Sequence, residues 1–342
     1  MIPVPVNTSA VPKTDTPVNW RPGAGIEVLR TRAMLLARVR DFFRENGVLE
    51  VDTPVLSRAT STDPAIESFR TSYSGPGAAA GQPLYLHTSP EFFMKRLLAA
   101  GSGPIYQLAH VFRNGEYGAR HNPEFMMLEW YRPGLDHHAL MDELDALLAA
   151  VLDDLVDYRP ARRIRYRDWF IEGTGLDPWT DSVEAFQQFA AQRLEGTLPP
   201  LAADDKDGWL DLIVTHWLEP ESGTGAQFVF DYPPSQASLA RLRRGDTLVA
   251  ERFELYFGDV ELANGFHELA DASEQQARFA AENARRVQRG QPEMPVDKAL
   301  LDALAHGLPD CSGVALGFDR LLMVALGLSR VDAVMPFGLD RA

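Results

Sequence analysis

Cysteine is nearly absent. Cys311 stands alone among 342 residues, so no disulfide can close within the chain, and that usage fits a reducing compartment, with the cytoplasm as the expected location. Long apolar runs are absent too. The stretch "ALLAAVLDDLV" is broken by Asp153 and Asp154 and falls short of the ~18 residues that a membrane helix needs. The opening "MIPVPVNTSAVPKTDTPVNW" has no basic region followed by an apolar one, which excludes a secretory signal; its Pro and Thr content suggests a mobile tail over 1–25. Positive charge is in deficit, with 33 Lys and Arg against 48 Asp and Glu and a net charge of −15. Broad nucleic-acid binding draws its affinity from neutralised phosphates, so this balance argues against it. "ARLRRGD" and "ARRIRYR" are left as local basic stretches, most simply solvated surface.

What is present is enough apolar residue for one large domain or two small ones, arranged in clear periods. Residues 26–46 read as an amphipathic helix with Leu29, Ala33, Leu36, Val39 and Phe43 on one stripe and Gly47 just past its end. "VLEVDTPVLS" reads as a strand with Pro54 at an edge or bend. "PLYLHTSPEFFMKRLLAAG" reads as a strand followed by a helix opening at Ser89-Pro90-Glu91, and residues 135–156 as a further helix. Residues 159–225 give helical fragments punctuated by Gly and Pro. "ERFELYFGDVELANGFHEL" predicts a hairpin turning at Gly258-Asp259, and Asp271-x-x-Glu274 a helix start. No internal repeat is visible. Strands in antiparallel hairpins with helices outside them make the class α+β rather than doubly wound.

Charge is concentrated in "FRNGEYGARHNPEFMMLEWYRP", residues 112–133. With 104–113 and 124–132 as paired strands, period-two alternation puts Arg113 on a face with Val111, Ala109 and Gln107. It puts Glu129 and Tyr131 on a face with Phe125 and Met127. One buried Arg/Glu pair is most simply structural. Arg113, Arg120, His121, Glu124, Glu129 and Tyr131 together point instead to a ligand carrying both charge signs. In "ELANGFHEL", Leu262, Asn264, Phe266 and Glu268 alternate to one side, and Glu261 opens the segment. Two carboxylates beside Asn264 and Gly265, near an arginine-rich loop, suit Mg²⁺. In "GVALGFDRLLMVALG", Gly313 and Gly317 permit close backbone approach, and Arg320 falls in the first turn of a helix, where free N–H groups already favour anions. A nucleotide lying across an antiparallel sheet accounts for all three elements.

Together these elements resemble the three motifs of class II aminoacyl-tRNA synthetases, specifically the catalytic domain of lysyl-tRNA synthetase. "NGVLEVDTP" looks like motif 1, "FRNGEYGARHNPEFMMLEWY" like motif 2 and "GVALGFDRL" like motif 3, so the likeness covers about 26–342 as one catalytic domain. Lysyl-tRNA synthetases carry an N-terminal anticodon-binding barrel, whereas here only a short tail precedes the motif 1 helix. "TSPEFFMKRLL", "SQASLA", "ERFELYF", "ELANGFHEL" and "PDCSGVALG" are similar to the free-standing paralogues that modify elongation factor P. The resemblance implies activation of β-lysine or lysine by ATP, with Mg²⁺, and transfer to a lysine of elongation factor P. It implies no tRNA acceptor, and a homodimer packed through motif 1.

By the same resemblance Arg113 holds the α-phosphate and the substrate carboxylate, with Asn114, Gly115 and Glu116 beside it, and Arg320 holds the γ-phosphate end. Phe125 stacks on adenine; His121, Asn122, Leu262 and Gly317 complete the ATP site; Glu261 and Glu268 bind Mg²⁺. Ser89, Pro90, Glu91, Glu129, Tyr131, Asn264, Phe266 and Glu268 form the amino-acid pocket. The residue types agree, because a diamino acid needs carboxylates at its ammonium groups. Two departures stand out. Motif 2 usually reads Arg-x-Glu, but Gly115 occupies the third position and Glu116 follows one residue late. Ala315 replaces a motif 3 glycine of lysyl-tRNA synthetases, a change the subfamily shares and one that reshapes the pocket. Two other functions compete: an activator serving another carrier or a tRNA, and a non-catalytic synthetase relic. Retention of Arg113, Glu261, Glu268 and Arg320 speaks against the relic, and Gly115 for it.

Overall fold

The computed structural model describes residues 20–342 except 78–80, 195–197, 200 and 203. Most of the expected tail therefore lies outside the described residues. Its last part is tied down: the N–H groups of Gly23 and Ala24 donate to the carbonyls of Pro336 and Met335 at 2.8 and 3.0 Å.

Helix α1 (Ile26–Glu45) buries Leu35, Val39 and Phe43, spaced four apart and so on one face. The expected stripe is thus corrected. Ala33 is exposed, while Val39 and Phe43 are sealed in the chain's own core and leave no stripe free for a second subunit. The run 48–57 is not one strand either. It splits into β1 (Leu49–Glu50) and β2 (Leu56–Ser57), which belong to different sheets. Pro54, which has no N–H to give to a ladder, lies where the chain crosses between them.

β3 (Arg70–Tyr73) and β4 (Gln82–Leu86) complete a three-stranded sheet in the order β2-β4-β3. Helix α2 (Glu91–Ala99) leads into the hairpin β5 (Ile105–Phe112) and β6 (Glu124–Pro133), then α3 (His137–Leu152). The stretch 159–225 holds the expected helices α4 (Tyr166–Thr174), α5 (Val183–Arg193) and α6 (Lys206–Ile213), the last running into one turn of π-helix. It also holds the unexpected strand β7 (Arg162–Arg165), which runs parallel to β8 (Ala226–Tyr232). β9 (Leu242–Arg244), β10 (Leu248–Phe257) and β11 (Val260–His267) follow, then α7 (Ala272–Gln288), α8 (Lys298–Gly307), β12 (Cys311–Gly317) and α9 (Phe318–Ala325).

The main sheet runs β1-β5-β6-β12-β11-β10-β8-β7 with β9 on β10, and its pairings are antiparallel except at the two ends. This is the α+β architecture expected. The β10–β11 turn falls at Gly258-Asp259 as predicted, with Gly258 at φ +60°, the II′ geometry that only glycine enters freely. One sheet face, carrying Tyr106, Leu128, Trp130, Leu255, Val314 and Leu316, packs with α1, α3 and α9 into the main core. The opposite face is left to a cavity. Its far end is closed by an apolar cluster that joins Met94 and Leu98 of α2, Phe279 of α7, Leu300 and Leu304 of α8, and Tyr131.

Candidate active site

Strand register assembles the site. One row across the sheet reads Glu254, Asn264, Ala315, Glu129 and Gln107; the next reads Arg252, Phe266, Gly313, Tyr131 and Ile105. Residues in one row share a face, so the alternation read from β5 and β6 holds, with Val111 opposite Phe125 and Ala109 opposite Met127. From β6, β10, β11 and β12 these rows floor a cavity of about 500 Å³, roofed by 57–66 and walled by the loop after Arg113; Gln107 and Ile105 of β5 do not line it. Glu124 faces the other way and pairs with His110 at 3.0 Å, which removes it from the expected cluster.

Carboxylates gather at one end. The Ser89 hydroxyl accepts from the Glu91 N–H at 3.0 Å, starting α2 one residue later than expected, and donates to Glu129 Oε2 at 2.7 Å. Tyr131 donates to Glu129 Oε1 at 2.6 Å. Pro90 sets the helix start and does not itself line the cavity. Burial, reinforced by the charge of Glu91, pushes the Glu129 carboxyl up to about 8 despite these hydrogen bonds. Glu268, 4% exposed, is pushed up to about 7, burial again outweighing the ammonium of Lys95. The side-chain amide oxygen of Asn264 is buried in this wall without a partner.

Lys95 went unnoticed in the sequence, although it lies one turn after Glu91. Its ammonium sits 2.5 Å from Glu91 Oε1 and 2.6 Å from Glu268 Oε2. Burial by itself would lower its pKa; the two carboxylates more than offset that and hold it charged. Arg252 and Glu254 were missed as well. They pair at 2.5 Å on the cavity floor, and Tyr232 donates to Glu254 at 2.7 Å. Their signal was the Arg-x-Glu alternation within a strand.

Cations gather at the other end. The Arg113 guanidinium lies 5.2 Å from the Phe125 ring centre and 3.6 Å from Glu116, and its Nε is buried without a partner. Gly115, at φ +87°, makes the tight turn that delays the carboxylate by one residue; Glu116 still lines the cavity, whereas Asn114 and Gly115 do not. Arg320 is held by the carbonyls of Glu261 and Arg120 at 2.9 and 3.2 Å and by His121 Nε2 at 2.7 Å. Burial and then the nearby Arg320 lower the His121 pKa, keeping that imidazole a neutral acceptor. Arg120 reaches the carbonyl and the carboxylate of Asp259 instead of the cavity centre. Asn122 lines the cavity, and its amide donates to the Glu124 carbonyl (2.7 Å) and accepts from the Leu339 N–H (3.0 Å).

A β-bulge decides the place of Glu261. Tyr256 faces Glu261 and Leu255 faces Ala263, so Leu262 is the extra residue. The bulge turns Glu261 to the cavity face and packs Leu262 into the core, whereas alternation had placed it on the cavity side with Asn264; Leu262 still contributes to the cavity lining. Glu261 and Glu268 stand at opposite ends of β11, about 20 Å apart at ordinary strand rise. They cannot share one Mg²⁺, and Glu268 is already paired with Lys95. Glu261 alone, at the phosphate-binding end, suits an ion completed by phosphate oxygens. Gly317 suits a nucleotide, since a Cβ there would meet nothing of the protein closer than Arg320 at 3.7 Å.

Behind the sheet, His137, Glu251 and His267 bring one ligand atom each within 4.8 Å of one another. Both Glu251 oxygens are occupied, by Arg241 Nε at 2.8 Å and Arg243 Nε at 3.0 Å, and His267 Nε2 faces Asp310 at 2.8 Å. Two guanidinium groups on the shared carboxylate mark an ion-pair network rather than a metal centre.

Residues 18–341 match the family model for tRNA synthetases class II (D, K and N). The chain is 50% identical over 326 residues to the elongation factor P–(R)-β-lysine ligase of Vibrio cholerae serotype O1, covering 95% of this chain and 99% of that protein. It is 49% identical over 324 residues to the ligase of the same name from Salmonella typhi, covering 94% and 98%. Among the described residues no helix is long and apolar enough to cross a membrane. With the motif arginines and carboxylates placed around one cavity and the likeness spanning nearly every residue, the chain belongs to the class II tRNA synthetases of the D, K and N group.

Proposed function

We propose that this chain activates (R)-β-lysine, or lysine, with ATP and transfers the acyl group to a lysine side chain of elongation factor P. The observation that carries the reading is the polarity of the cavity. Glu91, Glu129 and Glu268 line one end, and Arg113 and Arg320 stand at the other. A diamino acid fits that polarity with its ammonium groups among the carboxylates and its carboxylate toward Arg113.

In the first step a substrate carboxylate oxygen attacks the α-phosphorus of ATP, and the bond to pyrophosphate breaks. Arg113 and Arg320 stabilise charge on the phosphate oxygens, and the carboxylates fix the amino acid for in-line attack. Glu261 would hold Mg²⁺ at this end, and the ion would supply further positive charge there. In the second step the acceptor amine attacks the acyl carbon, AMP leaves, and the amine proton passes to solvent or phosphate. Ala315 lies in the sheet row between Asn264 and Glu129, where its methyl narrows the pocket and favours the β-amino isomer. A net charge of −15 makes tRNA a poor acceptor. The reading includes a cytoplasmic homodimer.

The test combines two measurements. ATP–pyrophosphate exchange is followed with β-lysine or lysine and no nucleic acid, and purified elongation factor P is weighed intact after incubation with enzyme, ATP and β-lysine. Exchange without tRNA and a gain of one β-lysyl group are expected. Exchange that strictly requires tRNA, or charging of lysine tRNA as fast as the protein, would sink the proposal. The Arg113→Ala variant should lose exchange by about 10²–10³-fold, the usual effect of removing one transition-state donor.

A further inference from the structure

We propose that Lys95 is a specificity-determining residue, an internal ammonium that fixes Glu91 and Glu268 so that the pocket selects a substrate with two ammonium groups over one with a single group. The inference rests on the function proposed above and deepens it.

The geometry is direct. Lys95 is 1% exposed and lies behind the cavity wall, while Glu91 and Glu268 line the cavity. Its Nζ bridges them at 2.5 and 2.6 Å, so their positions are coupled through one atom. Glu129 is positioned separately, by Ser89 and Tyr131. A bound ammonium favours the ionised form of the carboxylate it meets, so with substrate in place all three carboxylates are charged, and with Lys95 charged this end of the cavity then carries two negative charges. The acyl part of β-lysyl adenylate carries two ammonium groups, since its carboxylate is spent in the adenylate. The counts match only if the third carboxylate is neutralised from inside the protein. Without Lys95, Glu91 and Glu268 face each other across a buried gap with no cation between them. At least one of them then turns away from the cavity or takes up a proton, and neither a displaced nor a neutral carboxylate pairs with an ammonium. Affinity for the second ammonium group then falls, while the phosphate end, built from Arg113 and Arg320, is untouched.

The experiment compares (R)-β-lysine with (R)-3-aminohexanoate, the same chain without its distal ammonium. Binding is measured by titration calorimetry and turnover by pyrophosphate exchange, on wild type, Lys95→Met and Lys95→Arg. For Lys95→Met the ratio of the two affinities should fall at least tenfold toward unity. KM for β-lysine should rise by a similar factor, with kcat and KM for ATP within about threefold of wild type. A purely structural loss would weaken both ligands and ATP together. Lys95→Arg keeps the cation and should retain the wild-type ratio within threefold, and thermal melting identifies the folded variants. An unchanged ratio in Lys95→Met overturns the inference, as does a folded Lys95→Arg that loses the ratio. Wild-type protein that binds β-lysine but never exchanges pyrophosphate would instead remove the proposed function, while the binding ratio still judges Lys95.

Discussion

A methyl group added at Gly313 would land 2.3 Å from Tyr131 Cε1 and 2.6 Å from Glu268 Oε1. Tyr131 is pinned to Glu129 and Glu268 to Lys95, so neither can retreat without disturbing the pocket. Overpacking of this kind commonly costs about 1–3 kcal/mol. Gly313→Ala should therefore weaken β-lysine use by roughly tenfold or more, that same cost expressed as affinity, with KM for ATP unchanged. Gly317→Ala should do the reverse, because its Cβ would meet no protein atom closer than 3.7 Å and would instead occupy space left for the nucleotide. Exchange kinetics with each substrate varied in turn check both, and equal damage to both KM values by either variant would refute the assignment. The sequence showed that both glycines allow close approach. It did not show that one makes room for a tyrosine of the protein and the other for a ligand, because that depends on strands far apart in the chain.

At the scale of elements, legibility followed locality. Hairpins, helix starts and the II′ turn are encoded within a few residues, and Asp271 caps α7 through the N–H groups of Ser273 and Glu274 as its spacing suggested. The bulge at Leu262 was not legible, since alternation carries no mark of where it slips, and Pro54 marked an edge or bend without showing that the two halves join different sheets. The network joining β10, β11 and the start of α3 was missed for the same reason; His137, Glu251 and His267 come together only through sheet order. That network makes a prediction about acid stability. Burial by itself would raise the Glu251 carboxyl, but hydrogen bonds from His267 and Arg241 lower it to about 2. Its folded value lies below its unfolded one, so its stabilisation is present above the ordinary carboxylate range and is lost as pH falls toward 2. His267 works in the opposite sense. Its raised value gives stability that is full below the ordinary imidazole range and fades as pH rises through the folded value. Urea midpoints of wild type and Glu251→Gln should differ clearly at pH 7 and converge near pH 2. Parallel curves would show that Glu251 holds nothing.

For the whole molecule, the remaining question is how many copies make a working unit. A stripe on α1 cannot supply the contact, because Leu35, Val39 and Phe43 are used internally. Apolar surface survives nearby instead: Ile26 is 59% exposed, Leu49 56% and Leu56 47%, at the start of α1 and on β1 and β2. β1 is only two residues long and forms the edge of the main sheet, while β2 edges the smaller one. Short strands blunt an edge against random pairing, yet large apolar side chains on both mark a surface that gains from being covered. A second copy meeting it about a twofold axis would cover both edges at once. Light scattering should give a mass of twice 38.0 kDa at micromolar concentration. Placing charges there with Leu49→Glu and Leu56→Glu should shift the protein to monomer while its circular dichroism stays that of wild type. Exchange activity should fall together with the dimer, because the adjoining segment 57–66 roofs the cavity. A wild-type monomer at these concentrations, or a doubly charged variant that still elutes as a dimer, would place the contact elsewhere or nowhere.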